Sequence, residues 1–338
     1  VVDAHLAAAG TPLGAYPDVP LGTERFDADR PDGTGDDAVV TRRSPYEAYV
    51  VSRAGRPTVH ALIRDPRSSM QVWSRQQGYP GDAWYLEFHK IRWPGGLKLW
   101  RVTGAHADLG AKQPYDVAAA RSRAEAHAAH FAELLATIAR NADGAGHVAV
   151  APFDTELFGH WWFEGVDFLG DLYRRLTHTD GVHPVTGAHH LRSAHRRSDI
   201  RLSEGSWGAH GDHSMWMNHD TRWTWERLWG LEDAFWAVAP ETLGAEWARP
   251  VLAAAARQLL LTQSSDWQFI ISTGAAGDYA EGRFRRHCED AESLVRGLDP
   301  RASDAGRRAA ADRAAAVNDR DDLFPDVLAA VDAVLRGR

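Results

Sequence analysis

Cysteine occurs once in 338 residues, at Cys288, so no internal disulfide is available and no pair of thiolates has the spacing of a structural zinc site. Lysine is nearly as scarce: Lys90, Lys98 and Lys112 are the only lysines among 38 basic residues. A formal net charge of -8 at pH 7 excludes the clustered positive surface that nucleic acid or an anionic membrane demands, so neither is expected as a partner. No run approaches 18 uninterrupted apolar residues, and the N-terminus has none of the basic, apolar and small-residue order of a signal peptide. A reducing, cytoplasmic compartment is the expectation. An initiating methionine is missing too. The chain opens on Val1-Val2-Asp3-Ala4-His5 as though already inside a strand, and an N-terminal truncation is expected.

What is present suits a globular protein of more than one domain, since 44% hydrophobic residues suffice for a substantial core at this length. Residues 11–45 are rich in Pro, Gly, Asp and Thr without periodicity and read as a long mobile loop. Tyr46 to Ile63 reads as two short strands around Ala54-Gly55-Arg56-Pro57. Tyr115 to Ala142 fits a covering helix, His147 to Ala151 a buried strand, Glu164 to Leu176 a second helix, 178–197 a loop, and Ile200 to Ser203 a further strand. Beyond Thr221 the texture turns helical: Trp223 to Val238, Glu241 to Thr262, Ala276 to Leu298, and Asp304 to Leu335 with a break near Pro325. The expected class is α/β, with a catalytic domain over 1–212 and an all-α domain over 213–338.

The run from His147 to Gly165 carries the chemistry. An almost wholly apolar strand suits a parallel sheet covered on both faces, and in barrel folds the residue at its C-terminal end faces the active site. Asp154 stands there, followed by Glu156, His160, Trp161 and Trp162. Indoles beside a carboxylate offer flat faces to a pyranose and strip water from the acid, raising its pKa toward what a general acid needs. The plainer alternative is that Asp154 caps the next helix and the tryptophans fill the core.

The string Asp154-Thr-Glu-Leu-Phe-Gly-His-Trp-Trp-Phe-Glu-Gly165 closely resembles the fourth signature region of glycoside hydrolase family 57, and within it the 1,4-α-glucan branching enzymes. Gly205-Ser-Trp-Gly208 with Met215-Trp-Met-Asn218 resembles the fifth region, and Leu259 to Trp267 with Gly282-Arg-Phe-Arg-Arg-His287 resembles their helical domain. With Arg64 to Trp73 and Gly78-Tyr-Pro-Gly-Asp82, the resemblance runs from Val1 to about Leu298.

The resemblance implies the C-terminal part of an incomplete (β/α)7 barrel followed by the helical domain. It implies retaining transfer on an α-1,4-glucan such as amylose or a glycogen-type polysaccharide, without metal or organic cofactor. Asp154 takes the proton-donor position. The nucleophilic Glu of the family lies upstream of Val1, so this polypeptide alone is expected to be inactive. Arg64, Gly81, Trp207 and Asp266 occupy substrate-contacting positions; Trp73 and Trp216 look like stacking walls, and His160 and Trp161 flank the acid. Plain alternatives stand beside these: core burial for Trp73 and Trp207, an ion pair for Arg64, a buried structural role for His160. Trp223, Trp225, Trp229, Trp236 and Trp247 read as inter-domain core. The enzymatic alternative is a 4-α-glucanotransferase or α-glucan hydrolase on the same scaffold, and two departures bear on it: no tyrosine lies between Pro17 and Pro45, where the branching enzymes carry one on a loop, and Ala275 stands where they place a substrate-contacting amide. A non-catalytic glucan-binding fragment is the reading from another class. His183, His189, His190 and His195, and likewise His210 and His213, lack the spacing of a zinc site.

Overall fold

The computed structural model describes residues 1–7, 44–51, 58–74, 77–104, 106–142, 146–193 and 198–337. The loop expected over 11–45, except its last two residues, the turn at 54–57 and His195 lie outside the described residues. The chain divides into two compact units, residues 1–207 and 208–338.

The first unit contains one three-stranded sheet of order β2-β1-β3. Strand β1 (Ala48–Val51) pairs antiparallel with β2 (Val59–Leu62), with Ala48 opposite Leu62, and parallel with β3 (Ser198–Asp199). The strand expected over Ile200 to Ser203 is therefore displaced. Its hydrogen bonds exist but are split between two neighbours: Ile200 N–H reaches Val50 O at 2.9 Å, whereas Ser203 N–H turns to Leu6 O at 2.8 Å. His147 to Ala151 is likewise extended without becoming a ladder. Val148 N–H donates to Tyr46 O at 2.9 Å and Asp65 N–H to Val150 O at 2.7 Å, and a parallel bridge joins Arg64 to Val150. Pro152 then has no N–H with which to continue. The described residues thus form a small sheet beside many helices, a coarser arrangement than the barrel the resemblance implies.

Helix α1 (Pro66–Trp73) starts where Asp65 caps it, accepting from Ser68 N–H at 2.7 Å, with proline at its first position where no N–H is required. Asp65 is fully buried and also accepts from the Tyr46 hydroxyl at 3.0 Å. Helix α2 (Val117–Asn141), capped by Asp116, buries Ala120, Ala124, Ala128, Phe131, Leu134 and Ile138, a three-and-four spacing that makes one apolar stripe. Against it lie Phe168, Leu172 and Leu176 of α3 (Gly165–Leu176). The stretch expected to be a loop at 178–197 holds a short helix, α4 (Gly187–Ser193), whose start is fixed by Thr186 Oγ1 accepting from His189 N–H at 3.2 Å.

The second unit is helical: α5 (Arg222–Thr242), α6 (Arg249–Thr262), α7 (Asp266–Thr273), α8 (Gly277–Leu298), α9 (Asp304–Arg320) and α10 (Val327–Arg336). The single helix expected over Glu241 to Thr262 is two pieces, because residues 243–248 turn the chain before Pro250 opens α6. Gly274, at φ +67°, stops α7 in the left-handed conformation that suits glycine. Phe235, Leu252, Phe284, Ala291 and Leu294 fill the core with Cys288, whose thiol burial pushes up to about 11. Trp223, Trp225 and Trp236 pack partly buried against that core, but Trp229 and Trp247 are exposed and do not belong to it.

Candidate active site around Asp154

Asp154 is the residue from which the chain enters a single 3-10 turn, Thr155–Leu157, with extended backbone at φ -62° and ψ 133°. Its side chain makes no capping hydrogen bond to that turn, so the capping alternative does not describe it. Although the residue as a whole is exposed, lost hydration around the carboxyl raises its pKa above the usual carboxylate value. The charge of Glu156 adds to the rise and the Arg64 guanidinium opposes it.

Arg64 stands at the end of the segment that follows β2, one residue before the α1 cap. Its Nε donates to Ser69 Oγ at 2.6 Å and its Nη1 to Asp3 Oδ2 at 3.3 Å. The ion-pair alternative therefore holds, with Asp3 as the partner, and the same cation also acts on Asp154. Trp73 ends α1, is 43% exposed, and lies 6.4 Å from the ring of Phe153, the residue preceding Asp154. It is no core residue.

The chain after Asp154 doubles back. Trp162 N–H donates to Leu157 O at 2.8 Å, and Gly159 N–H to Trp162 O at 2.8 Å, with Gly159 at φ +94° where a side chain would be strained. This places the two indoles oppositely. Trp162 is buried among Tyr79, Tyr85, Phe158 and Phe168 and is core, so it offers no face to a sugar. Trp161 is 48% exposed and lies against Phe88, 4.5 Å between ring centres, with its N–H directed to Glu156 O at 3.4 Å. His160 is exposed and packs edge-on against Trp161, so the buried alternative does not describe it; no hydrogen bond to Asp154 is found among the described residues.

Sequence reading missed Glu164, although it is the last acid of the same motif. It is buried, its Oε1 accepts from Leu86 N–H at 2.9 Å, and burial raises its pKa. It ties the Asp154 elbow to the segment at Leu86. A second cluster holds the Gly78 to Tyr85 loop on α2. Asp82 accepts from Arg123 Nε at 3.0 Å and lies 3.5 Å from His127 Nε2, while the Tyr85 hydroxyl meets His127 Nδ1 at 2.7 Å. Burial pushes the His127 imidazole down to about 4 in spite of Asp82, so the ring is neutral at neutral pH. Burial would raise Asp82, but the hydrogen bonds from Arg123 and the Trp84 N–H, together with the Arg123 charge, outweigh it and the carboxyl lies below its ordinary range. Gly81, on this loop, is exposed with open space around the position of an added Cβ, so packing does not require glycine there.

Trp207, 59% exposed, closes the first unit. Trp216 and Asp266 belong to the second. The Trp216 carbonyl accepts from Trp225 Nε1 at 2.7 Å and Thr221 Oγ1 at 2.8 Å, which fastens its loop to α5. Asp266 opens α7, exposed, and accepts from Ser264 Oγ at 2.6 Å. The described residues contain no group of three or more metal-ligating side chains. Among the described residues no helix is long and apolar enough to cross a membrane.

Comparison with known proteins finds relatives over most of the chain. Residues 232–331 match the family described as 1,4-alpha-glucan branching enzyme, C-terminal. A 1,4-alpha-glucan branching enzyme of Thermococcus kodakarensis is 42% identical over 245 residues, 71% of this chain and 36% of that protein. A probable 1,4-alpha-glucan branching enzyme of Mycobacterium tuberculosis is 33% identical over 270 residues, 76% of this chain and 50% of that protein. The chain thus spans between about a third and half the length of these relatives. The crystal structure of the T. kodakarensis branching enzyme in complex with glucose superposes with a TM-score of 0.75 at 34% identity, over 96% of this chain and 56% of that one. The alpha-amylase AmyC of Thermotoga maritima gives 0.64 at 30% identity, over 86% and 58%. By its motifs, its relatives and its structural neighbours alike, the chain is similar to the C-terminal portion of the branching enzymes of glycoside hydrolase family 57.

Proposed function

We propose that this chain supplies the acid/base half of a 1,4-α-glucan branching site, on what becomes an incomplete (β/α)7 barrel when the family's upstream segment is joined to it. The observation that carries the reading is the state of Asp154: it caps nothing, its proton affinity is raised, and exposed indoles at Trp73 and Trp161 stand on the segments beside it. A carboxyl whose proton affinity is raised keeps its proton to higher pH and can deliver it to the departing glucosyl oxygen.

In the retaining scheme a second carboxylate about 5 Å away attacks the anomeric carbon as the leaving oxygen takes the Asp154 proton. Asp154, now ionised, removes the proton from the 6-hydroxyl of an incoming glucan chain as that oxygen displaces the enzyme carboxylate. The new bond is α-1,6 and the acid is restored. Attack by water in place of the hydroxyl gives hydrolysis. This second reading has one specific observation in its favour, the similarity to the alpha-amylase AmyC. Glycogen-type polysaccharide in the cytoplasm is the polymer and setting proposed, with Arg64, Gly81, Trp207, Trp216 and Asp266 as further substrate contacts.

Linkage analysis of amylose treated with the complete protein tests the proposal. New α-1,6 linkages with little gain in reducing ends are expected. Reducing ends without new linkages would assign the chain to a hydrolase.

A further inference from the structure

The segment from Leu86 to Arg101 folds as a hairpin that the chemistry at Asp154 does not require. Antiparallel bridges join Leu86 to Arg101 and Arg92 to Leu97, and Glu87 N–H donates to Trp100 O at 2.9 Å. Its base is built into the first unit. Leu86 is held by the buried Glu164 carboxylate, and the buried Lys112 ammonium closes on Glu87 while donating to Val102 O at 2.6 Å.

The tip is the opposite. Trp93 is 82% exposed, with Ile91, Leu97 and Leu99 also open to solvent. A firmly anchored hairpin that presents an indole and several aliphatic side chains to water marks a contact surface, because each exposed apolar Å² forgoes about 25 cal/mol of burial. Along the hairpin the aromatic surface connects with the elbow: Phe88 lies 4.5 Å from Trp161, and Lys98 Nζ sits 4.1 Å over the Phe88 ring.

We propose that this hairpin is an auxiliary α-glucan-binding surface, in which the Trp93 ring stacks on a sugar of a chain continuing outward from the Asp154 elbow. The inference rests on the α-glucan reading above. A glucose polymer offers an apolar C–H face to an indole and hydroxyl edges to the cations of Lys90 and Arg92. It is neutral, so it needs no opposite charge. An anionic membrane would draw on the same tip, but the net charge of -8 opposes that approach, and the contact of Phe88 with Trp161 joins the hairpin to the candidate sugar site.

Electrophoresis of the complete protein through gels containing glycogen tests this, with Trp93→Ala and Trp93→Phe as variants and their melting temperatures confirming the fold. Retardation of the wild type, a dissociation constant about five-fold weaker in Trp93→Ala, and binding largely kept in Trp93→Phe are expected. Equal retardation of wild type and Trp93→Ala would overturn the hairpin site while leaving the α-glucan reading intact. A wild type that glycogen does not retard would overturn both. Loss of binding to phosphatidylserine vesicles in Trp93→Ala, with glycogen binding unchanged, would replace the glucan by a membrane.

Discussion

At the scale of single residues, the decisive fact is that Asp154 is relieved of structural duty. Residues that end a strand and open a turn ordinarily spend their side chain on the orphan N–H groups ahead of them, as Asp65 and Asp116 do. Asp154 does not, and its raised pKa follows from lost hydration first and the nearby Glu156 charge second. The sign of a test follows directly. Glu156→Gln removes a negative charge that favours the protonated acid, so the Asp154 pKa falls and the proton is lost at lower pH. The alkaline limb of the kcat/KM profile of the complete protein is expected to move toward acid pH; an unmoved limb would separate that ionisation from Asp154. The apolar run, the carboxylate and the indoles point to the elbow, but it is the motif resemblance that gives Asp154 its proposed role over a capping one. What sequence could not distinguish was which of two adjacent tryptophans faces inward, because that depends on the reversal at Gly159 and not on residue type.

At the scale of elements, helices were read well and strands poorly, for a physical reason. A helix such as α2 satisfies its backbone internally, so its apolar stripe and its cap at Asp116 locate it without reference to anything else. The segments at 147–151 and 200–203 must borrow partners, and here they divide their hydrogen bonds among Tyr46, Val50, Leu6 and Asp65 instead of forming one ladder. Short helices were missed where their signal was only a few residues long, as at α4 and α7. Helix contact in the second unit depends on small residues. A Cβ at Gly297 on α8 would lie 2.1 Å from the Ala310 Cβ on α9 and 3.3 Å from Gly306 O. Gly297→Ala is therefore expected to destabilise this unit by roughly 1–3 kcal/mol, read as a lower melting temperature. Gly282→Ala on the same helix, where nothing lies within 4 Å, should leave stability equal or slightly higher. Equal melting of the two variants would show that α8 and α9 do not meet as described.

At the scale of the molecule, two units carry different parts of one motif set. The carboxylate elbow, Arg64, Trp73 and Trp207 belong to residues 1–207, whereas Trp216 and Asp266 belong to residues 208–338, within which the family match at 232–331 also falls. The substrate contacts proposed for the second unit thus stand on a helical scaffold with its own buried core, including Asp290 fully buried between Arg313 and Arg320. Composition had indicated the change of texture after Thr221, and motif resemblance supplied the function; neither could supply the small sheet, which depends on distant pairing.

The central claim is that Asp154 moves the proton. The rate at which the complete protein processes amylose, compared between wild type and Asp154→Asn, measures it most directly. A fall on the order of 100-fold or more, with the melting temperature unchanged, is the result expected for loss of a general acid/base. A variant that processed amylose at the wild-type rate would contradict the account.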